Sequence, residues 1–299
     1  MAQRLRGMGC TAADLSASLL IFLKGMLMGI ADIIPGVSGG TLALITGIYE
    51  RLVQGIAQVS SMLVQLPSLV RQKKLMSALL SLDFALFVPL GLGIGLALYG
   101  GSLFFSVLLT LYPALVYSFF IGLIVASAVL LFMHSKKSSW SLVLFGILGG
   151  GLGAGIVLIP VLQTASVPSF LSLFFLGMVA LCAMILPGIS GSYILLIFGQ
   201  LSFMYSAVAN VWTMWPSLLI FGSGGVVGLL FFSRLLTFLL ARYKHAMLYF
   251  LAGLMLGALL SPLQVLLSHL HQESLLFSLC LFGLGIGCIV ILHRFGLDA

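Results

Sequence analysis

Two long stretches of this chain carry no charged side chain. There is no Asp, Glu, Lys or Arg from Phe84 to Ser135, and none from Ser138 to Ser233. Over the whole chain 62% of residues are hydrophobic and 6% are charged, with a mean hydropathy of +1.28, whereas soluble domains are about 25% charged. A soluble chain of 299 residues cannot hide this much apolar surface from water. The composition therefore excludes a water-soluble enzyme or a nucleic-acid-binding protein and predicts folding in a bilayer.

Six segments are long and apolar enough to cross a membrane as helices, which requires about 20 residues each. They are residues 84–105, 114–133, 141–162, 213–233, 247–267 and 275–292. Two further apolar regions, residues 15–50 and 170–208, are interrupted near their middle by Pro and Gly. The segment 52–70 contains three Gln and one Pro, so an interfacial helix and a poor span both remain open for it.

The positions of the basic residues orient these helices. Lys and Arg gather at residues 4–6, 71–74, 136–137, 234–244 and 294, whereas the connections 106–113, 163–169, 209–212 and 268–274 have none. Because basic residues favour the cytoplasmic side of a membrane, we expect the N- and C-termini in the cytoplasm. The six spans then alternate only if each broken region leaves the membrane on the side where it entered. The first region would enter from the cytoplasm and the second from outside.

The two broken regions share a motif. Pro35-Gly36-Val37-Ser38-Gly39 matches Pro187-Gly188-Ile189-Ser190-Gly191 at an offset of 187 − 35 = 152 positions, and Gly25 and Gly47 match Gly177 and Gly199 at the same offset. The sequence therefore predicts an all-α polytopic membrane protein with two inverted repeats, each containing a re-entrant helical element broken by Pro-Gly. We expect one domain over 1–299, with repeat one at about 15–133, a linking helix at 141–162 and repeat two at about 170–292. Two ordinary kinked helices are the alternative interpretation.

A Pro-Gly break at membrane depth frees backbone amides, since Pro has no N–H and both residues interrupt a helix. The freed groups must face protein or water, and the N-terminus of the helix that follows favours an anion. We therefore predict that both motifs bind an anionic substrate, through Pro35, Gly36, Ser38, Gly39, Gly40 and Thr41 in the first and Pro187, Gly188, Ser190, Gly191 and Ser192 in the second. Inverted repeats with discontinuous helices are typical of secondary transporters.

Acidic and basic side chains lie in the first broken region and are absent from the second. Asp32 is costly inside a membrane, so it is a candidate for ion coupling or, alternatively, a cap for the freed amides. Lys24 lies eight residues earlier on the same helix face, where it would contact an anionic headgroup or extend to the cytoplasmic interface. Glu50 is a second candidate for ion coupling and Arg51 for a phosphate contact. The adjacent Glu50 and Arg51 also fit an exposed pair near the cytoplasmic surface.

Motifs for catalysis are absent from the sequence. It contains no HExxH, no phosphate-binding loop and no dinucleotide-binding fingerprint, and none of its five His residues lies at a Pro-Gly motif. We therefore expect a protein that is not an enzyme and that uses no metal or cofactor. The first 31 residues loosely resemble a signal peptide, but Lys24 interrupts the apolar stretch and the region belongs to the repeat, so we expect no cleavage.

The first motif also has a longer, specific context: Lys24-Gly25, then Gly29-Ile-Ala-Asp-Ile-Ile-Pro-Gly-Val-Ser-Gly-Gly-Thr41, then Gly47-Ile-Tyr-Glu50. With Leu186–Ser192, it resembles the bacterial polyprenyl-phosphate transporter family (PopT-like), formerly a domain of unknown function, over almost the whole chain. The resemblance implies a multi-pass protein of the bacterial cytoplasmic membrane that returns undecaprenyl phosphate to the cytoplasmic leaflet. It implies no nucleic-acid partner. It leaves open whether H⁺ or Na⁺ is the coupling ion, and it leaves the oligomeric state open.

Two other functions fit part of this pattern. A channel or transporter for a small inorganic anion would use the same Gly-Ser-Pro elements. An opening to lipid beside Ser38 and Ser190 would favour the lipid substrate, whereas a continuous polar pore would favour the ion. A membrane scaffold that transports nothing would leave Asp32 and the duplicated breaks without a role.

Overall fold

The computed structural model of the chain describes residues 12–34, 37–134, 139–160, 168–269 and 274–294. Within these ranges the chain is almost entirely helical and contains no strand, which confirms the all-α prediction. The helices are α1 (Ala12–Ile33), α2 (Gly39–Ile45), α3 (Tyr49–Val64), α4 (Leu66–Arg71), α5 (Leu75–Leu80), α6 (Phe84–Leu111), α7 (Pro113–His134), α8 (Trp140–Leu158), α9 (Phe170–Ile185), α10 (Gly191–Ile197), α11 (Leu201–Ala209), α12 (Val211–Arg242), α13 (Lys244–Ala258), α14 (Leu260–His269) and α15 (Leu275–Arg294).

Seven helical segments in the described part of the chain are long and apolar enough to cross a membrane. Six of them correspond to the predicted spans and lie in α6, α7, α8, α12, α13–α14 and α15. The seventh, Ser16–Ile33 in α1, belongs to the first predicted broken region, and the apolar helix α9 of the second is shorter. The segment 52–70 forms most of α3 and α4, and neither helix is among these spans.

The outer surface of the helices is apolar. Leu and Phe side chains are exposed along α6, α8 and α12. Trp140 and Trp212, in the first turns of α8 and α12, are 86% and 92% exposed. Because Trp is enriched where a bilayer meets water, these positions fit helices whose ends lie near a membrane surface. The exposed apolar side chains are therefore suited to contact with lipid.

Four helix pairs pack closely through glycines: α1 with α6, α9 with α12, α7 with α15, and α8 with α13. In each pair a Cβ added to a glycine would collide with a backbone carbonyl of the partner helix: Gly25 with Leu90, Gly177 with Phe221, Gly122 with Phe282, and Gly253 with Gly146. Small residues at such contacts let membrane helices approach closely. A larger side chain at any of these four positions would push its helix pair apart.

These glycine contacts repeat along the sequence. Gly177 follows Gly25 by 152 positions, the offset of the Pro-Gly motifs, whereas Phe221 follows Leu90 by 221 − 90 = 131. Gly253 likewise follows Gly122 by 131 positions. Helix α1 therefore pairs with α6 as α9 pairs with α12, and α7 pairs with α15 as α13 pairs with α8. The repeat extends to eight helices, and α8, which the sequence suggested as a linker, packs on α13 as α15 packs on α7.

The buried core surrounds the short helix α2. Ala31, Ile34, Val37 and Ala43 have no exposed surface, and Tyr49 is 1% exposed. Non-helical backbone is tolerated at membrane depth only where protein or water covers it. Ile34 and Val37, the described residues on either side of the first break, therefore lie inside the protein and away from lipid.

Candidate functional site

The first break lies between α1 and α2, and its polar groups bond to one another. The Asp32 carboxylate accepts a hydrogen bond from the Gly39 N–H over 2.7 Å. The Ser38 hydroxyl caps α2 by accepting from the Gly40 N–H over 3.2 Å. The predicted site residues Pro35 and Gly36 lie outside the described residues. Asp32 thus makes the capping contact that was one of its two predicted roles.

Lys24 lies at the opposite end of the same short helix. Its Nζ is buried and donates to the Thr46 carbonyl over 2.6 Å, at the C-cap of α2. A helix carries partial positive charge at its N-terminus and partial negative charge at its C-terminus. Asp32 and Lys24 therefore complement the two ends of α2, and α1 holds α2 in place through both charges.

The second break is followed by a short helix at the same place as the first, although Ser190 does not cap it as Ser38 caps α2. Helix α10 occupies residues 191–197, and α2 occupies 39–45, so both bounds differ by the offset of 152. The glycine that follows each short helix has a positive φ, 74° at Gly47 and 66° at Gly199. In the second motif the Ser190 and Ser192 hydroxyls lie 2.7 Å apart. The repeated motif therefore produces a repeated helix–break–short helix element.

The two breaks contact each other directly. The Gly188 N–H donates to the Thr41 Oγ1 over 2.8 Å, and the Ser38 hydroxyl donates to the Leu186 carbonyl over 3.4 Å. A Cβ added to Gly40 would lie 2.8 Å from the carbonyl oxygens of both Met184 and Ile185. Glycine at position 40 is therefore required for the crossing of the two segments. Of the predicted site residues, Ser38, Gly40 and Thr41 therefore meet the second segment, at Gly188 and beside the fully buried Pro187.

Glu50 and Arg51 are not paired with each other in the structure. Lys244 Nζ lies 2.8 Å from Glu50 Oε1. Arg51 donates to both carboxylate oxygens of Asp83, over 2.7 and 2.9 Å, and this guanidinium holds the pKa of Asp83 below its usual value. Asp83 also caps α6 by accepting from the Leu86 N–H over 3.1 Å. Sequence reasoning missed both partners, although an acid directly before the apolar run of α6 is an N-cap signal.

A cavity of about 480 Å³ opens at the Glu50–Lys244 pair. We call it the polar cavity. Tyr49, Glu50, Ser127, Lys244 and His245 supply its polar lining, and leucines and isoleucines of α2, α7, α13 and α15 supply the rest. The Tyr49 hydroxyl is buried and has no hydrogen-bond partner in the described part of the chain. The cavity is therefore lined by charge at one end and by aliphatic side chains elsewhere.

An apolar groove of about 620 Å³, here groove 1, adjoins the polar cavity. It lies between α1, α2, α6, α7 and α15, and its lining is almost entirely hydrocarbon and aromatic. Ile45, Ile289 and Leu292 line both spaces. A polar chamber and an apolar groove thus lie side by side next to α2.

A second apolar groove of about 660 Å³, here groove 2, lies between α8, α12, α13 and Leu186 of the second break. Its lining corresponds to that of groove 1 through the repeat. Seven residues that line groove 1 have an equivalent 131 positions later that lines groove 2. The residues of groove 1 are Phe105, Leu108, Tyr112, Leu115, Val116, Phe119 and Leu123. Their equivalents in groove 2 are, in the same order, Leu236, Leu239, Tyr243, Ala246, Met247, Phe250 and Leu254. The two halves of the protein therefore present equivalent apolar grooves.

Comparison with known proteins identifies related sequences. The family described as undecaprenyl phosphate translocase-like matches residues 28–277. A protein of Vibrio cholerae serotype O1 (strain ATCC 39315 / El Tor Inaba N16961) named polyprenyl-phosphate transporter is 38% identical over 244 residues, which cover 81% of this chain and 76% of that protein. A Staphylococcus aureus (strain NCTC 8325 / PS 47) protein of the same name is 30% identical over 251 residues, covering 79% and 83%. No solved structure matches the chain.

Proposed function

Because this chain belongs to the undecaprenyl phosphate translocase-like family, we propose that it moves a polyprenyl phosphate lipid between the leaflets of the bacterial cytoplasmic membrane. The pair of repeat-related apolar grooves beside the crossing of the two breaks carries the proposal. A prenyl tail is too apolar to pass through a polar channel, so it needs an apolar path while the phosphate moves through protein. Leu42 of α2 lines groove 1 and Leu186 of the second break lines groove 2.

The two repeats are proposed to be inverted, so that each groove serves one leaflet. Three predicted spans, in α6, α7 and α8, separate the first broken region from the second. An odd number of spans places two re-entrant elements on opposite sides of the membrane. The basic clusters then place the Lys244 end of the protein and both termini in the cytoplasm.

A difference between the halves supports alternating access. The polar cavity is lined by Ser127, Leu130, Ile289 and Leu292. Ser127 and Leu130 match Ala258 and Ser261 at the offset of 131, and Ile289 and Leu292 of α15 match Gly153 and Ile156 of α8, which lie 136 positions earlier. These equivalent residues line a space of only about 10 Å³ beside Ser190. One side of the crossing is thus open and the equivalent side is closed. Alternation of these two states would carry a headgroup past Thr41 and Gly188.

Coupling to an H⁺ or Na⁺ gradient is proposed to act through Asp32, with Glu50 as the second coupling residue. While Asp32 accepts from the Gly39 N–H, a carboxylate occupies the place at the N-terminus of α2 that was predicted for the phosphate. Neutralising Asp32 by a proton or a bound cation would free this amide for the substrate. The moving phosphate would then contact residues of both repeats: Lys24, Ser38, Gly39, Gly40 and Thr41 of the first and the Pro187–Ser192 motif of the second. This movement would return the lipid to the cytoplasmic leaflet.

The experiment that tests the substrate class measures two activities in the same proteoliposomes. Vesicles receive a labelled polyprenyl phosphate in one leaflet and radioactive inorganic phosphate outside. We expect the protein to accelerate exchange of the lipid between leaflets and to leave phosphate uptake at the rate of protein-free vesicles. Protein-dependent phosphate uptake without lipid exchange would replace the lipid transporter by the inorganic anion transporter.

The inverted arrangement has its own test. Single cysteines introduced near Ser166 and Gln272, both outside the described residues, are expected to react with an impermeant thiol reagent added outside the cell. Cysteines near Lys73 are expected to react only after the membrane is opened. Labelling near Lys73 from outside would refute the inversion.

A further inference from the structure

We propose that the polar cavity is the binding site for the lipid phosphate, with Lys244 as its first contact, the Tyr49 hydroxyl as a second contact after a small rotation of the ring, and groove 1 as the site of the prenyl tail. This inference rests on the proposed function, since it places the same lipid in a defined position. Neither Lys244 nor Tyr49 belongs to the Pro-Gly motifs. The site lies at the C-terminal end of α2, opposite the end that Asp32 caps.

The buried Tyr49 hydroxyl is the first observation that points to a ligand. Tyr49 is 1% exposed, and its hydroxyl has no partner in the described part of the chain. A buried hydroxyl without a hydrogen bond is unfavourable, yet Tyr49 lines a cavity of about 480 Å³. A small rotation of the Tyr49 ring toward this cavity would let a phosphate oxygen bound there supply the missing bond.

The electrostatics of the cavity favour an anion. Two helices begin at its lining, α3 at Tyr49 and α13 at Lys244, and neither has a side-chain cap at its N-terminus. The N-terminus of a helix carries partial positive charge, which no side-chain cap reduces here. Lys244 adds a full positive charge to the first turn of α13, where the helix dipole disfavours a cation. The C-terminus of α2 also lies at this cavity, but its partial negative charge is already met by Lys24, which donates to the Thr46 carbonyl. An anion in the cavity would offset the charge of Lys244 and of the two helix N-termini.

Glu50 partly fills this role in the structure. It lies 2.8 Å from Lys244, and the two side chains are 42% and 56% exposed. Exposed ion pairs of this kind contribute little to stability, so Lys244 can exchange Glu50 for a phosphate at small cost. A phosphate monoester carries more negative charge than a carboxylate and has more acceptor oxygens. We infer that Glu50 and the phosphate compete for Lys244.

The position of groove 1 accounts for the rest of the lipid. A phosphate bound near Lys244 lies in a cavity that shares Ile45, Ile289 and Leu292 with groove 1. The tail would therefore extend from the polar cavity into groove 1, where Phe105 and Leu108 are among the lining residues. The two spaces together match a small charged headgroup attached to a long hydrocarbon chain.

Because Glu50 and the phosphate compete for Lys244, substitutions of Glu50 and of Lys244 should change the affinity for the lipid in opposite directions. Binding of undecaprenyl phosphate and of undecaprenol, which lacks the phosphate, is measured on the full protein in nanodiscs by native mass spectrometry. Lys244→Gln is expected to weaken binding of the phosphate lipid by about tenfold or more, the usual effect of losing a charge-assisted hydrogen bond. Glu50→Gln is expected to tighten it, and Tyr49→Phe to weaken it several-fold. Undecaprenol binding should be the same in all variants.

Lys74→Gln, which removes an exposed lysine away from the cavity, is the control and should bind as the wild type. A purely structural Glu50–Lys244 pair would make Lys244→Gln and Glu50→Gln change binding in the same direction, and that result would overturn the site. Wild-type affinity in Lys244→Gln and Tyr49→Phe would overturn it as well. If the wild type exchanges the lipid in vesicles while these variants bind it with wild-type affinity, the proposed function is retained and the proposed binding site is rejected. If the wild type neither binds nor exchanges the lipid, the proposed function itself fails.

Discussion

The Gly188 N–H donates a hydrogen bond to the Thr41 hydroxyl over 2.8 Å, and this bond joins the two broken segments at their crossing. Gly188 has a φ of +90°, a conformation that glycine adopts without steric cost. A Cβ at Gly188 would also lie 2.9 Å from the Cα of Met255. The hydrogen bonds of the crossing therefore join backbone groups to the hydroxyls of Thr41 and Ser38.

Replacing Gly40 by Ala tests the close approach at this crossing. The new Cβ would lie 2.8 Å from the carbonyl oxygens of Met184 and Ile185, so the two segments must separate. We expect lipid exchange in proteoliposomes to fall at least tenfold while the protein still inserts and purifies as a single species. Gly95→Ala is the control, since nothing lies within 4 Å of a Cβ at Gly95. Equal rates for the two variants would contradict a functional crossing.

Asp32→Asn separates the two roles of Asp32. The Asn amide oxygen can still accept from the Gly39 N–H, so α2 should keep its cap and the protein its stability. A neutral acceptor binds this N–H less strongly than a carboxylate does, so Asn would release it to the phosphate as a neutralised Asp32 would. Because Asn carries no charge and binds no proton, we expect lipid exchange that no longer responds to an imposed pH or sodium gradient. The measurement is exchange by the variant with and without each gradient, with Asp83→Asn as the control for loss of a carboxylate elsewhere. Unchanged gradient dependence in Asp32→Asn would leave Asp32 with the capping role alone.

The broken segments could be predicted because their cause is local. Pro and Gly interrupt a helix wherever they occur, and the two copies of the motif lie at one constant offset. The later helices were assigned to the two repeats but not matched residue by residue, for a related reason. They match at 131 positions instead of 152, since α4 and α5 add residues between α3 and α6 that have no counterpart between α11 and α12. The offset of 152 therefore relates the regions around the two motifs and does not hold for the later helices.

The polar cavity could not be predicted, because its residues are distant in sequence. Glu50 and Lys244 come together only through the packing of α3 and α12, and no local pattern encodes that contact. Lys24 and Asp32 were identified as important because a charge in an apolar helix is conspicuous. Their contacts with the two ends of α2 depend on how α2 folds back along α1, which the sequence pattern does not define.

Equivalent substitutions in the two grooves test whether both serve the lipid tail. Leu108→Trp in groove 1 and Leu239→Trp in groove 2 place a large ring at positions that the repeat makes equivalent. We expect each to slow lipid exchange several-fold, because the tail must occupy both grooves during one cycle. Leu92→Trp is the control, since Leu92 is exposed on α6 and lines neither groove. A loss confined to the Leu108 variant would remove groove 2 from the transport path.

The Arg51–Asp83 pair predicts a pH-dependent contribution to stability. The pKa of Asp83 is lowered by the guanidinium of Arg51, so the pair stabilises the folded protein above the unfolded pKa of about 3.9. The contribution is lost as the pH falls through the folded pKa. Asp83→Asn should therefore lower the free energy of unfolding by about 0.2–1 kcal/mol at pH 7 and by almost nothing near pH 2. Thermal unfolding in detergent at both pH values measures this.

Asp83→Ala provides the matched comparison for that measurement. Asn at position 83 can still cap α6 by accepting from the Leu86 N–H, whereas Ala cannot. The Ala variant should lose a further ~1 kcal/mol, the usual effect of removing an N-cap. A difference between wild type and Asp83→Asn that stays constant from pH 7 to pH 2 would show that the ion pair contributes nothing.

The time course of lipid exchange in proteoliposomes is the most direct test of transport by this chain. A labelled polyprenyl phosphate is placed in the outer leaflet, and the fraction that an impermeant quencher reaches is followed over time. We predict that this fraction falls faster with the wild-type protein than in protein-free vesicles, and that Gly40→Ala returns it to the protein-free rate. An identical time course with and without the wild-type protein would contradict the transport of polyprenyl phosphate proposed for this chain.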